Sequence, residues 1–371
     1  MREAMMLAQK GEGRVNPNPL VGALIVKDGA VVASGYHHVY GDLHAERDAF
    51  RNADADGINC QGATMYVTLE PCCHYGKQPP CTEAIIEHHI ARVVVGLRDP
   101  NPLVAGKGIQ QLRDAGIEVE VIEDEDIIKD MKMQNRVFLH YIQNKMPWVT
   151  AKWAMTLDGK IATSTGDSKW VSGEKSRETV HMMRRRHVAI MCGIGTVLAD
   201  DPLLNVRLSD DALSLMGIDG RNVRQPIRMV ADHKARIPLD CQLVQTAKDV
   251  PLIVIHDERA PLEKLQQLAE KGVTLWCCPN MRVAMRRAAS EKIDSVLLEG
   301  GGILNEEMLK EGLVNEVVAF IAPKIVGGRE ALTPVEGDGF TRMAEAVKLR
   351  DLKIENIGED VVVRGIVRSE E

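Results

Sequence analysis

A chain of 371 residues has room for two hydrophobic cores and is too long for one ordinary domain. A net charge of −7 and an aromatic content of only 4% exclude the basic, stacking-rich surface of a nucleic-acid binder. No apolar run reaches the length of a membrane span and Met1–Leu7 lacks the apolar core of a signal peptide, so a cytoplasmic location is expected, with most of the eight cysteines reduced.

Residues 3–10 read as a short helix closed by Gly11, and Asn16-Pro17-Asn18-Pro19 as a turn. Val21–Val26 and Val31–Gly35 flank an Asp28-Gly29 turn, a hairpin signal. Asp42 or His44 opens a helix that runs to about Ala53. Ala63–Leu69 is a strand ending at Glu70, and Pro79-Pro80 introduce a helix from Cys81 to His89. A strand at 91–96, a helix at 108–115, a strand at 117–122 and one long helix from Asp124 to about Tyr141 follow, an alternation expected of a sheet covered by helices. Within this stretch His44-Ala45-Glu46 and Pro71-Cys72, with a second Cys at Cys81, offer one imidazole and two thiolates. Three protein ligands leave one vertex of a tetrahedral Zn²⁺ open for water, whose pKa the metal lowers towards neutrality, and Glu46 is then free to shuttle protons. The pattern fits the H-x-E…P-C signature of zinc deaminases, with a longer loop before the last Cys. A closed structural site would need a fourth ligand, which Cys73 or His74 would supply. His44 and Glu46, two residues apart, point away from each other on a regular helix, so they share a site only around its first turn.

Gln143–Pro147 is a polar break, and the boundary is placed near residue 145: a first domain at 1–144 and a second at 145–371. The second domain reads as strands at 148–154, 189–192, 227–231, 252–256, 273–278, 293–298, 314–321 and 361–367, with helices at 174–186 and about 303–311. Glu299-Gly300-Gly301-Gly302 stands between a strand and a helix, where backbone N–H groups accept phosphate. It is not the G-x-G-x-x-G fingerprint, so a Rossmann domain is not implied.

The run Pro71-Cys72-Cys73-His74-Tyr75-Gly76-Lys77-Gln78-Pro79-Pro80-Cys81, with Asn16–Pro19 and Asp99–Gly106, resembles the deaminase half of the bifunctional riboflavin biosynthesis deaminase/reductases. Lys152–Ala162, Gly195–Pro202 and Glu299–Gly302 resemble the reductase half, in the same order. The resemblance implies an α/β protein with a cytidine-deaminase-like domain followed by a dihydrofolate-reductase-like domain, with Zn²⁺ and NADPH as cofactors. It implies zinc on His44, Cys72 and Cys81, with Glu46 catalytic. Asn18 would face the pyrimidine, although by itself it also reads as a turn residue bonding its own backbone. Ala154, Trp170, Thr196, Asp200 and the turn from Gly301 and Gly302 would contact NADPH. Ser168, Arg184, Leu204, Arg207 and Glu299 would contact the ribosyl phosphate. Asn16 and Gln78 replace the family's usual His and Thr. His233 replaces a usual Ser beside the cofactor, which leaves the preference for NADPH over NADH open.

The expected reactions are zinc-dependent hydrolytic deamination of a diaminopyrimidine ribosyl phosphate and NADPH-dependent reduction of its ribosyl chain to ribityl, with no proton donor identified for the second. The expected partners are that small molecule and further copies of the chain, not nucleic acid or membrane. The alternative kept beside it is a zinc deaminase with a catalytically silent C-terminal scaffold domain.

Overall fold

Runs of β-branched and apolar residues form the strands of two units, Met1–Met146 and Pro147–Glu371, in the computed structural model, which describes residues 1–102, 104–215 and 223–368. The first unit contains α1 (Arg2–Gln9), β1 (Gly22–Lys27), β2 (Ala30–Tyr36), α2 (Ala45–Ala55), β3 (Thr64–Leu69), α3 (Cys81–Glu87), β4 (Arg92–Leu97), α4 (Lys107–Asp114), β5 (Glu118–Val121), α5 (Glu125–Gln134) and α6 (Arg136–Asn144). Its sheet has the order β2-β1-β3-β4-β5, with the hairpin strands antiparallel and β3, β4 and β5 parallel. Helices cover both faces. Ala45, Ala49, Phe50 and Ala53 of α2, Ile85 of α3 and Leu112 of α4 pack with Ile25, Met65, Val67, Val93 and Val95. Met131 and Phe138 of α5 and α6 pack with Leu69 and Leu97 on the other face.

Where one helix was expected from Asp124 to Tyr141, the structure has two, broken at Asn135 (φ −98°, ψ 17°). The buried Asn135 amide accepts from the Leu20 N–H at 2.8 Å and donates to the Leu20 carbonyl at 2.9 Å. These two bonds to a distant strand entry hold Asn135 where its backbone departs from helical angles. The same pair of bonds fixes the chain just after Asn18.

In the second unit the elements are β6 (Trp148–Thr156), α7 (Glu174–Arg186), β7 (Ala189–Gly193), α8 (Ile194–Asp200), α9 (Asp210–Leu215), β8 (Ile227–Ala231), α10 (Gln242–Gln245), β9 (Leu252–His256), α11 (Leu262–Glu270), β10 (Thr274–Cys277), α12 (Met281–Ser290), β11 (Ser295–Leu298), α13 (Gly302–Lys310), β12 (Glu316–Ala322), β13 (Leu349–Ile357) and β14 (Asp360–Val367). They build a sheet of order β10-β9-β8-β7-β11-β6-β12-β14-β13. The strands from β10 to β12 run parallel, while β14 and β13 are antiparallel to their neighbours. β9 is buried at every residue, as parallel strands covered on both faces must be. Ile190, Cys192, Val230, Val254, Leu297 and Phe320 share one core with Met183, Val197, Leu243 and Leu268 from the helices. In open parallel sheets ligands gather at the carboxyl ends of the strands, and here those ends lead into Thr156–Lys160, Gly193–Asp200, Asp232–His233 and Glu299–Gly302.

Candidate active sites

In the first unit, His44 is the N-cap of α2 with extended backbone (φ −73°, ψ 160°), so its ring leaves the helix axis before helical geometry begins. Glu46, in the first turn, is buried at 3% exposure. This resolves the spacing problem: the two side chains are not both helical and converge on one point. Cys72 follows β3, and Cys81 opens α3 just after Pro80. His44 Nδ1 stands 3.4 Å from Cys72 Sγ and 3.5 Å from Cys81 Sγ. The three ligand atoms lie within 4.8 Å of one another. One nitrogen and two sulfurs at that spacing suit Zn²⁺, and neither Cys73 nor His74 joins the group, so the fourth vertex stays open.

Charge is arranged around this point. Hydrogen bonding from the Cys81 thiol lowers the Cys72 thiol to about 4 against its burial, with His44 adding to the effect, while Cys81 itself is raised well above the usual thiol range. Burial and the neighbouring Cys72 push the Glu46 carboxyl up, and it lies within hydrogen-bonding reach of Cys81. The site opens on a cavity of about 250 Å³ lined by Asn18, His37, His74, Lys77 and Asp99 among others. Asn18 Nδ2 lies 3.0 Å from His37 Nε2. Burial raises Asp99 to about 6. The Lys77 ammonium sits over the Tyr40 ring, 4.0 Å from its centroid.

The loop that carries Cys72 is fixed by Glu70. Its buried carboxylate accepts from the N–H groups of Gly106 (3.0 Å), Gly108 (3.1 Å), Ile109 (3.3 Å) and Asp99 (3.3 Å), which ties the strand end to the start of α4. Gly108 has no room for a side chain: a Cβ would stand 2.1 Å from the Pro71 carbonyl oxygen.

In the second unit, Glu299 is gripped by two cations. Arg184 donates from Nε at 2.6 Å and Nη2 at 3.0 Å, and Lys152 Nζ lies 2.9 Å away. Burial alone would raise the Glu299 carboxyl; Arg184 and Lys152 overcome it and hold it well below the usual carboxylate range. Arg184 also donates to the Asn205 carbonyl at 3.0 Å, which brings it beside the segment of Leu204 and Arg207. Leu204 is buried at φ +47°, and the Arg207 N–H donates to His181 Nδ1 at 3.1 Å. Ser168 Oγ meets Asp200 at 3.4 Å. Trp170 is 65% exposed, with its ring on the Arg177 guanidinium at 4.5 Å. Thr196 Oγ1 faces Gly301, whose side-chain direction is otherwise open. Gly302 is different: a Cβ there would meet Glu336 Cγ at 2.4 Å, so packing of the 333–336 segment requires this glycine. Ala154 lies towards the carboxyl end of β6. His233 follows β8 and pairs with Asp257 at 3.4 Å, and shares no hydrogen bond or ion pair with the other predicted site residues.

Lys152, His37 and Glu70 escaped prediction as site residues. A lysine inside an apolar strand is a signal that was available for Lys152. Glu70 acts through backbone N–H groups some thirty to forty residues on, and His37 through the Asn18 side chain, and nothing in their local sequence announces that.

Residues 147–363 match the RibD C-terminal domain, and residues 1–97 match the cytidine and deoxycytidylate deaminase zinc-binding region. The riboflavin biosynthesis protein RibD of Actinobacillus pleuropneumoniae is 47% identical over all of this chain and 95% of its own length. The chain belongs to the RibD family. The RibD of Aquifex aeolicus is 42% identical over 98% of this chain and 96% of its own. Among solved structures, Acinetobacter baumannii RibD superposes with a TM-score of 0.86 at 37% identity, covering 99% of this chain and 98% of that one. A deaminase/reductase from Thermotoga maritima gives 0.84 at 35% identity, covering 99% and 97%. The RibD-family chain is therefore a bifunctional enzyme of riboflavin biosynthesis, a zinc-dependent deaminase and a reductase using a nicotinamide cofactor, and a silent second domain is not favoured. No helix among the described residues is long and apolar enough to cross a membrane.

Proposed function

We propose that the first domain, 1–144, deaminates 2,5-diamino-6-ribosylamino-4(3H)-pyrimidinone 5′-phosphate, and that the second, 145–371, reduces the product with NADPH. The convergence of His44, Cys72 and Cys81 beside a buried Glu46 carries the first half of this reading. Zinc, held by those three side chains, supplies the Lewis acidity that makes water nucleophilic at neutral pH. Glu46 takes a proton from the attacking water and passes it to the ring nitrogen beside the amino-bearing carbon, then takes the remaining proton from the added oxygen and delivers it to the amine, so the C–N bond breaks, a carbonyl forms and ammonia leaves. Its raised pKa suits a group that must both accept and donate. Lys77, the one lysine or arginine lining the cavity among the described residues, receives the phosphate.

For the second half, the Lys152–Glu299–Arg184 cluster supports catalysis. The nicotinamide cofactor would supply hydride to C1′ of the opened sugar, where the nitrogen double-bonded to that carbon takes a proton. The Lys152 ammonium, oriented by Glu299, is the donor. Thr196 and Gly301 would hold the cofactor, and Arg184 and Arg207 would face the ribosyl phosphate. The enzyme works in the cytoplasm as a homo-oligomer; the exposed nine-residue edge strand β13 supports self-association, and light scattering tests it.

Incubation with the diaminopyrimidine ribosyl phosphate should release ammonia without NADPH and yield the ribityl product only with it, by mass. Glu46→Gln should lower ammonia release at least about a hundredfold with zinc retained. Unchanged turnover would rule the mechanism out.

A further inference from the structure

Asn18 has an amide with two unlike ends, and recognition of a base depends on which end faces the cavity. His37, just past β2 and buried, settles the choice. Its Nδ1 lies 2.8 Å from the Leu43 carbonyl oxygen. A carbonyl only accepts, so Nδ1 carries the proton. With its proton on Nδ1 facing Leu43, the ring presents its lone pair at Nε2. Asn18 Nδ2, at 3.0 Å, donates to it. Among the described residues Asn18 Oδ1 then has no hydrogen-bond partner, and the side chain lines the cavity.

We propose that His37 is a positioning residue of the deaminase site: the tautomer imposed by Leu43 turns the Asn18 amide so that its carbonyl oxygen faces the cavity and selects a pyrimidine presenting an N–H there. A ring that offers a lone pair at the same place meets a second lone pair and is disfavoured. The inference rests on the deaminase reading above and adds the polarity of its base-recognition group. The relay runs from a backbone carbonyl through one ring to one amide, so a change at its far end is felt at the cavity through Asn18.

The test is steady-state ammonia release together with zinc content for His37→Leu, His37→Gln, Asn18→Ala and the His37→Leu/Asn18→Ala double variant. Turnover by the unaltered enzyme checks the deaminase reading separately. With that turnover present, His37→Leu should raise KM about tenfold, with kcat less affected and zinc retained, since the amide is free to rotate. His37→Gln should stay within about threefold of the original, because its Oε1 accepts from Asn18 while its Nε2 donates to Leu43. In the Asn18→Ala background His37→Leu should change KM no further. The proposal is overturned by an unchanged KM in His37→Leu, by a His37→Gln as impaired as His37→Leu, by a further tenfold loss in the double variant, or by loss of zinc from His37→Leu.

Discussion

Single residues in this enzyme are set by what surrounds them more than by their own type. Glu46 and Glu299 are both buried glutamates. Glu46 faces thiols and is pushed up, whereas Glu299 faces an arginine and a lysine and is held down. In the proposed mechanism the first carries protons and the second is a fixed anion. Glu299→Gln would leave Arg184 and Lys152 without their counter-charge; a loss of about 3–5 kcal/mol of stability is expected in urea unfolding, together with loss of the reduction. His181 gives a pH dependence. Burial, then Arg184 and Arg207, lower it to about 4. The unfolded chain takes up this proton near 6.5, so between about 6.5 and 4 the unfolded state binds more protons and stability falls as pH falls. After allowance for solvent screening the effect is about 1 kcal/mol. His181→Gln, which keeps an acceptor for the Arg207 N–H, should flatten that part of the stability–pH curve.

Among the elements, α2, α3 and α4 position the metal centre by their first residues. The N-cap conformation of His44 and the start of α3 at Cys81 are backbone facts, and Glu70 adds a third by holding the start of α4. Gly108→Ala should therefore act on the metal: a Cβ that cannot fit against Pro71 displaces the loop before Cys72. Zinc content of the purified variant should fall well below one ion per chain. The Asn135 break works in the same manner on the other face. Asn135→Ala removes two bonds to Leu20 from a buried position, and a loss of about 2 kcal/mol is expected in thermal or urea unfolding, with a higher KM for deamination because Asn18 lies two residues away. Strand β13 shows why some elements were hard to read. Its apolar residues Leu349, Leu352, Ile354 and Ile357 do not alternate, because a bulge shifts the register between Arg350 and Lys353, with Asp351 at φ +51°. Helices α11 and α12 are a different case. Leu262, Leu265 and Leu268, and Met281, Ala284, Met285 and Ala288, stand at helical spacing, so both were open to the same periodic reading as α7.

For the molecule as a whole, two cores carry two chemistries on one chain. Removal of zinc by a chelator should abolish ammonia release and leave the reduction of already deaminated substrate in place, measured as cofactor oxidation. Loss of both activities together would contradict separate sites. The alternation of strands and helices in the first domain and the spacing from His44 to Cys72 and Cys81 were legible in the sequence, because periodicity, turn chemistry and ligand type are local properties. The tertiary structure alone decided that His44 leaves the helix before Glu46 enters it, that Asn135 breaks a helix to reach Leu20, that Lys152 meets Glu299, and that His37 turns Asn18. The first is the backbone turn into α2, and the other three depend on a hydrogen bond or ion pair between residues well separated along the chain, which no local pattern encodes because only folding brings the partners near.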